Sequence, residues 1–214
     1  MSYNSGMENT VRNHALLYAC LCQEILQAFE KEQAERIIDE ATFACGHVRG
    51  RRMRRNAEAL GLAADINAYM ICSELRMDAG KNRSSLSAAD GKTVSCVTCC
   101  AWHSTWDEDN LLAYGKYYCR QIDAGITAGF NPDLHLEVIE TMGINSNRCL
   151  FRGQGEADPA YIAAAKKRLD GCLVRSYSQH MEELVQTFQD VLSEYTPQAE
   201  RLIQKAENAY RMYL

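Results

Sequence analysis

Long apolar runs, an excess of basic charge and proline are all scarce in this sequence, and each scarcity excludes something. No stretch approaches the roughly 20 consecutive apolar residues that span a bilayer, so no membrane role is expected. Lysine and arginine total 23 against 28 aspartates and glutamates, a formal charge of −5. A general nucleic-acid binder normally carries a basic field, so nucleic acid is not an expected partner. The opening residues Met1 to Glu8 have neither the basic n-region nor the apolar h-region of a secretory leader, and the expected location is cytoplasmic. The three prolines, Pro132, Pro159 and Pro197, each fall at the edge of a helical pattern.

What is present is the material of one ordinary domain: 214 residues, 47% apolar and 24% charged, enough to bury a real core. Cysteine is abundant, at 20, 22, 45, 72, 96, 99, 100, 119, 149 and 172. Disulfide frameworks belong mainly to small secreted chains with little core, so most of these thiols are expected to be reduced. Cys20, Cys45, Cys72 and Cys172 fall in helical patterns and read as small core hydrophobes.

Apolar spacing predicts a helix from about Asn9 to Phe29 through Val11, Ala15, Tyr18, Cys22 and Ile25. A second runs from about Gln33 to Leu60, with Gly46 and Gly50 arguing against one unbroken helix and Gly61 a stop. Asp65 is the expected N-cap of a third helix to about Met77. Asp78 to Gly91, rich in Ser, Gly, Ala and Asn, reads as a loop. Lys92 to Cys99 reads as a strand, Leu111 to about Ala128 as a helix ended by Gly129-Phe-Asn-Pro-Asp133. Leu134, Leu136 and Val138 alternate with His135, Glu137 and Ile139, a period-two strand, and Arg148 to Arg152 returns as the other arm of a hairpin. Asp158-Pro159 opens a helical tail, interrupted near Asp170-Gly171 and restarted at Pro197. The expected fold is α+β: mostly helical, with a small antiparallel sheet in the middle third and a C-terminal helical extension. The expected units are residues 1–155 and an extension, 156–214, packed on them. A homo-oligomer formed through the C-terminal helices fits the same reading.

The most informative stretch is Trp102 to Arg152. It holds Trp102-His103-Ser104-Thr105-Trp106, then Tyr118-Cys119, Ile122-Asp123 and Ile126, then Gly129-Phe-Asn-Pro-Asp-Leu134, the Thr141-Met-Gly143 turn and Cys149-Leu-Phe-Arg152. In this order and spacing it resembles the L-2-amino-thiazoline-4-carboxylic acid hydrolase family, from about Ala34 to Gly153. The tail from Asp158 lies outside the resemblance. The resemblance implies hydrolytic opening of a small ring at a carbon–nitrogen bond, the named activity turning an aminothiazoline carboxylate into an N-carbamoyl amino acid.

Cys119 and Asp123 are four apart, on one face of the predicted helix. Cys119 is the candidate nucleophile and Asp123 the candidate proton carrier, because a nearby carboxylate raises a thiol's pKa and cannot itself supply the thiolate. The missing base is His103 or His135, if the fold brings either close; the alternative is that Cys119 packs and Asp123 caps a turn. Cys149 shares a strand face with Phe151, and the hairpin carries it toward Cys119, as a substrate contact, a redox partner or plain packing. Asn131 and Arg152 are candidate contacts for a substrate carboxylate, although Asn-Pro-Asp is also ordinary turn chemistry. Trp106 and Tyr118, with Trp102, Tyr114, Tyr117 and Phe130, suit the wall of a small-molecule pocket or a plain core. Arg49, Arg51, Arg52, Arg54 and Arg55 suit either a substrate carboxylate or, for most of the five, a solvated helix face with Arg54 paired to Glu58.

No metal or other cofactor is expected. Cys96-Val-Thr-Cys99-Cys100 with His103 is the nearest approach to a zinc site, but it lacks a second pair, and residues 96 and 99 point to opposite faces of a strand. A metal-dependent hydrolase using Cys99, His103, Cys119 or Cys149 is a minor variant. The rival from another class is a non-catalytic ligand-binding or sensor module like the 4-vinyl-reductase-type domains. A deep apolar cavity without polar groups near Cys119 would favour that rival. Either way, the expected partner is a small molecule.

Overall fold

The computed structural model describes residues 10–75, 80, 82–144, 146–169 and 173–214. The third helix is shorter than expected, ending at Ile71 with residues 72–75 non-helical rather than running to Met77. The break at Asp170-Gly171 and the burial of Cys172 lie outside the described residues. Within them the chain is α+β, with eight helices and one four-stranded antiparallel sheet.

Helix α1 (Val11–Ala28) is the axis of the core. Every residue from His14 to Cys22 is buried, and a helix that is apolar on all sides must be covered on all sides. Helices α2 (Lys31–Ala59), α4 (Ala101–Glu108), α5 (Leu112–Phe130), α7 (Tyr177–Tyr195) and α8 (Ala199–Arg211) supply that cover. Helix α8 lies along α1 with Leu202, Ile203, Ala206 and Tyr210 inward, so the C-terminal helices share the core of the preceding residues.

The expected caps at Asp65 and Asp158 form, and a further one appears at Ser176. Asp65 caps the short helix α3 (Ile66–Ile71) by accepting from the Ala68 N–H at 2.9 Å. Asp158 does the same for α6 (Pro159–Arg168), accepting from Tyr161 N–H at 2.9 Å, with Pro159 in the first turn. Ser176 and Gln179 form a reciprocal capping box on α7.

Two expectations about glycine are corrected. Helix α2 is unbroken across Gly46 and Gly50, and α5 continues through Gly129 to Phe130, ending at Asn131-Pro132. The glycines are there for proximity. A Cβ on Gly46 would sit 2.4 Å from the Ile122 carbonyl oxygen, and one on Gly50 would sit 2.1 Å from that of Ile126. On the facing helix, a Cβ on Gly125 would meet Phe43 O at 2.3 Å, and one on Gly129 would meet His47 O at 2.2 Å. Each helix thus offers two glycines one turn apart, and the backbones touch where side chains would otherwise hold them about 8–10 Å apart.

The sheet order is β1-β2-β4-β3, with β1 (Arg83–Ala89), β2 (Lys92–Cys99), β3 (Leu136–Glu140) and β4 (Cys149–Gln154). Strand β1 overturns the expected loop. Asp90 and Gly91 both take positive φ, 54° and 72°, which is the two-residue hairpin turn that an Asp-Gly pair favours. The pairing Ser84–Val97–Cys149 runs across three strands, so these residues share one face of the sheet.

Candidate functional site

A cavity of about 480 Å³ lies between that sheet face and the helices, and it is lined from α2, α3, α4, α5, β1, β2, β4 and α6. Its apolar walls include Met53, Tyr69, Trp102, Trp106, Ile122 and Phe151; its polar lining includes Arg49, Asp123, Cys100, Cys119, Cys149 and Lys166. Cys119 and Asp123, one turn apart on α5, therefore open into the same space, together with Cys149, Trp106 and Tyr118.

The aromatic wall is fixed by hydrogen bonds. Trp106 Nε1–H donates to Ala15 O at 2.9 Å, and Trp102 Nε1–H donates to His14 Nδ1 at 3.1 Å. Tyr118 stacks on Trp102 with ring centroids 6.0 Å apart. Gly115 makes room for Trp106, since a Cβ there would lie 2.3 Å from the indole Cε3.

The thiols and the turn after β3 form a second group. Met142 N–H donates to Cys149 Sγ at 3.4 Å, and a Cβ on Gly143 would fall 2.7 Å from Cys119 Sγ. A larger residue at 143 would require the Cys119 side chain to shift. Burial pushes the Cys119 thiol far up, with Cys149, Cys100 and Asp123 adding to the effect and the Gly143 N–H opposing it. Burial likewise lifts Cys149 to about 11 and raises Cys100. These are neutral thiols at physiological pH. Among the described residues, no group of three or more His, Cys, Asp or Glu side chains is arranged to hold a metal ion.

Asp123 is different. Burial raises its carboxyl from 3.8 to about 6, with the Arg49 charge pulling the other way. Among the described residues its carboxylate has no hydrogen-bond or ion-pair partner, and it faces the cavity. A carboxyl with an adjustable proton next to an open volume suits acid/base work.

The other expected site residues lie elsewhere. His103 is half-buried on α4 and His135 is exposed, and neither lines the cavity. Asn131 is used by the chain itself: Nδ2 donates to Ala64 O at 2.9 Å, and Oδ1 accepts from Asp133 N–H at 3.0 Å. Arg152, on the face of β4 opposite Cys149 and Phe151 in the alternation, is exposed and faces Glu137 at 3.5 Å. Of the expected site residues, Cys119, Asp123, Cys149, Trp106 and Tyr118 line the cavity and Arg49 of the arginine run joins them, whereas His103, His135, Asn131 and Arg152 do not.

The arginine run divides by position on α2. Arg52 makes a bidentate pair with buried Glu74, both contacts 2.8 Å, and a further one with Glu183. Arg54 pairs with Glu58 at 2.7 Å on the surface, as expected from their spacing, and Arg51 and Arg55 are exposed. Arg49 is half-buried and turns inward: its Nε is buried with no acceptor among the described residues, and no carboxylate among them lies within ion-pair distance. His14 and His180 border it in a pinched space of about 20 Å³ behind the main cavity. Both are held neutral, to about 3 and about 2, by burial first and by the Arg49 charge second.

The fold and site together define an α+β protein with a half-open cavity lined by an acid, two cations and three thiols. The chain belongs to the L-2-amino-thiazoline-4-carboxylic acid hydrolase family, whose family model matches residues 9–152. That name is the name of a hydrolase, and the matched span ends before α6, which contributes Lys166 to the cavity. No curated protein and no solved structure matches the chain. No helix among the described residues is long and apolar enough to cross a membrane.

Proposed function

We propose that the protein hydrolyses a small cyclic amidine or amide bearing a carboxylate, with Asp123 as the acid/base at the carbon that water attacks. The supporting observation is that a carboxyl with no partner among the described residues, raised to about 6, opens with Cys119 into a cavity walled by Trp102, Trp106 and Tyr118. A flat heterocycle fits such walls, and a group poised near neutrality can take a proton from water and return it to the departing atom.

The chemistry balances without a cofactor. In an amide, water adds to the carbonyl carbon and Asp123 accepts one water proton. Collapse of the tetrahedral adduct breaks the ring bond as that proton reaches the departing nitrogen, the other staying on the new carboxyl. In an aminothiazoline Asp123 passes the first water proton to the ring nitrogen and the adduct's hydroxyl proton to the departing sulfur as the carbonyl forms. In a lactam or hydantoin the broken bond is carbon–nitrogen. An N-carbamoyl product from an aminothiazoline retains the ring nitrogen, so in that ring the bond lost is carbon–sulfur. This corrects the carbon–nitrogen expectation for that one substrate.

Nucleophilic attack by Cys119 is the less favoured route on this geometry. Its thiol is pushed far up while Asp123 stands at about 6, so a resting thiolate is strongly opposed. The non-catalytic sensor reading loses its condition, because the cavity beside Cys119 carries Asp123 and Arg49. The test is a turnover screen of purified protein over aminothiazoline, hydantoin and lactam carboxylates, read by mass spectrometry. A product heavier by one water supports the reading. Substrates recovered unchanged across the panel count against it.

A further inference from the structure

We propose that Arg49 binds the carboxylate of the substrate and so makes an anionic group, held at a set distance from Asp123, the main determinant of which rings this site accepts. The inference rests on the hydrolytic reading of the same cavity and assigns it a recognition element.

The argument starts with cost. A guanidinium is charged at any ordinary pH, and leaving one inside a protein without a counter-charge is expensive. The neighbouring arginines meet that demand with Glu74, Glu183 and Glu58. Arg49 has a buried Nε with no acceptor and no ion pair among the described residues. The ionisable side chains bordering it in the pinched space, His14, His180, Cys45, Tyr118 and Glu183, do not relieve it: two are neutral imidazoles, two are neutral thiol and phenol, and Glu183 is engaged by Arg52 and Arg175. Asp123 feels the Arg49 charge but lies outside ion-pair distance.

Geometry then says where an anion would go. Arg49 reaches both the pinched space and the main cavity, so its charge meets a ligand there. A planar fork of N–H donors matches a carboxylate in two parallel hydrogen bonds. The position is also stiff, because Arg49 lies between Gly46 and Gly50, where α2 touches α5, and α5 carries Asp123. Lys166, the other cation on the cavity wall, is exposed on α6 and lacks that fixed setting. Arg152 is outside the cavity.

The experiment compares L-2-amino-thiazoline-4-carboxylate with the same ring lacking the carboxylate, using the wild type, Arg49→Met and Arg49→Lys, each checked by thermal denaturation. Binding is followed through Trp102 and Trp106, both on the cavity wall, and turnover is followed separately. The expected result is a wild-type preference for the carboxylate ring, in dissociation constant and in kcat/KM. That preference should fall about 100-fold in Arg49→Met, the order expected when one partner of a buried charge pair is truncated. Arg49→Lys, which keeps the charge and loses the fork, should fall between and carries the test if Arg49→Met does not fold. A folded Arg49→Met or Arg49→Lys that keeps the full wild-type preference overturns the proposal and leaves the hydrolytic reading standing. Arg49-dependent binding with no turnover of either ring supports the proposal and overturns hydrolysis of this ring. Wild-type protein that does not distinguish the two rings overturns the proposal.

Discussion

Gly46 and Gly125 meet with no side chain between them: a Cβ placed on Gly125 would lie 3.1 Å from the Gly46 Cα. This contact sets the spacing between α2 and α5, and therefore between Arg49 and Asp123. Gly46→Ala and Gly50→Ala should each destabilise the fold by about 2 kcal/mol or more, because the added methyl meets backbone rather than a movable side chain. Thermal denaturation checks this. Gly80→Ala, where nothing among the described residues lies within 4 Å of an added Cβ, is the control and should stay within about 0.5 kcal/mol.

Arg52 is predicted to be a pillar of stability. Its bidentate partner Glu74 is 1% exposed, so Arg52→Ala strands a buried carboxylate, at a cost of about 3–5 kcal/mol. Arg54→Ala, which removes only an exposed pair with Glu58, should cost less than about 1 kcal/mol. Denaturant unfolding of the two variants separates the roles of two arginines two residues apart.

The raised carboxyl of Asp123 gives stability a pH dependence of definite sign. The folded protein holds the Asp123 proton up to about 6, whereas the unfolded chain releases it near 3.8. Its contribution is therefore full below about 3.8, is lost as pH rises through about 6, and stays lost above. Asp123→Asn removes that loss and should be the more stable protein at pH 8, by about 1–2 kcal/mol after allowance for the accessible side of the group. Urea midpoints at pH 4.5 and 8 measure it; equal wild-type and variant trends across that window would contradict the assignment.

The C-terminal helices are predicted to be indispensable to folding. Helix α8 buries Leu202, Ile203, Ala206 and Tyr210 against α1. A chain ending before α7 uncovers an apolar helix, and it should aggregate or lose cooperative unfolding on expression. Circular dichroism and size-exclusion chromatography of the truncated chain check this.

Much of the fold was legible because its signals are local. The caps at Asp65 and Asp158, the period of the long helices and the β-branched run from Lys92 to Cys99 each act within a few residues. Strand β1 was obscured because Ser and Ala carry little strand preference, and its evidence was the Asp90-Gly91 turn rather than its own composition. The glycines of α2 and α5 misled for a related reason. Their spacing reads as helix weakness in one segment, and as helix contact only when both segments are considered together. The site divides the same way. Cys119 and Asp123 were legible from a one-turn spacing, and Arg49 was not, because five arginines in seven residues look alike until α2 is placed. The signal that distinguishes Arg49 is its place between the glycines at 46 and 50.

Chemistry at Asp123 is most directly tested by comparing kcat for ring opening in Asp123→Asn and Cys119→Ser. Asp123→Asn should lose about 100-fold or more, as removal of a general acid/base does, while Cys119→Ser should lose less than about tenfold and the wild-type kcat should rise with pH through about 6. Full turnover by Asp123→Asn, or its loss in Cys119→Ser alone, would contradict the account.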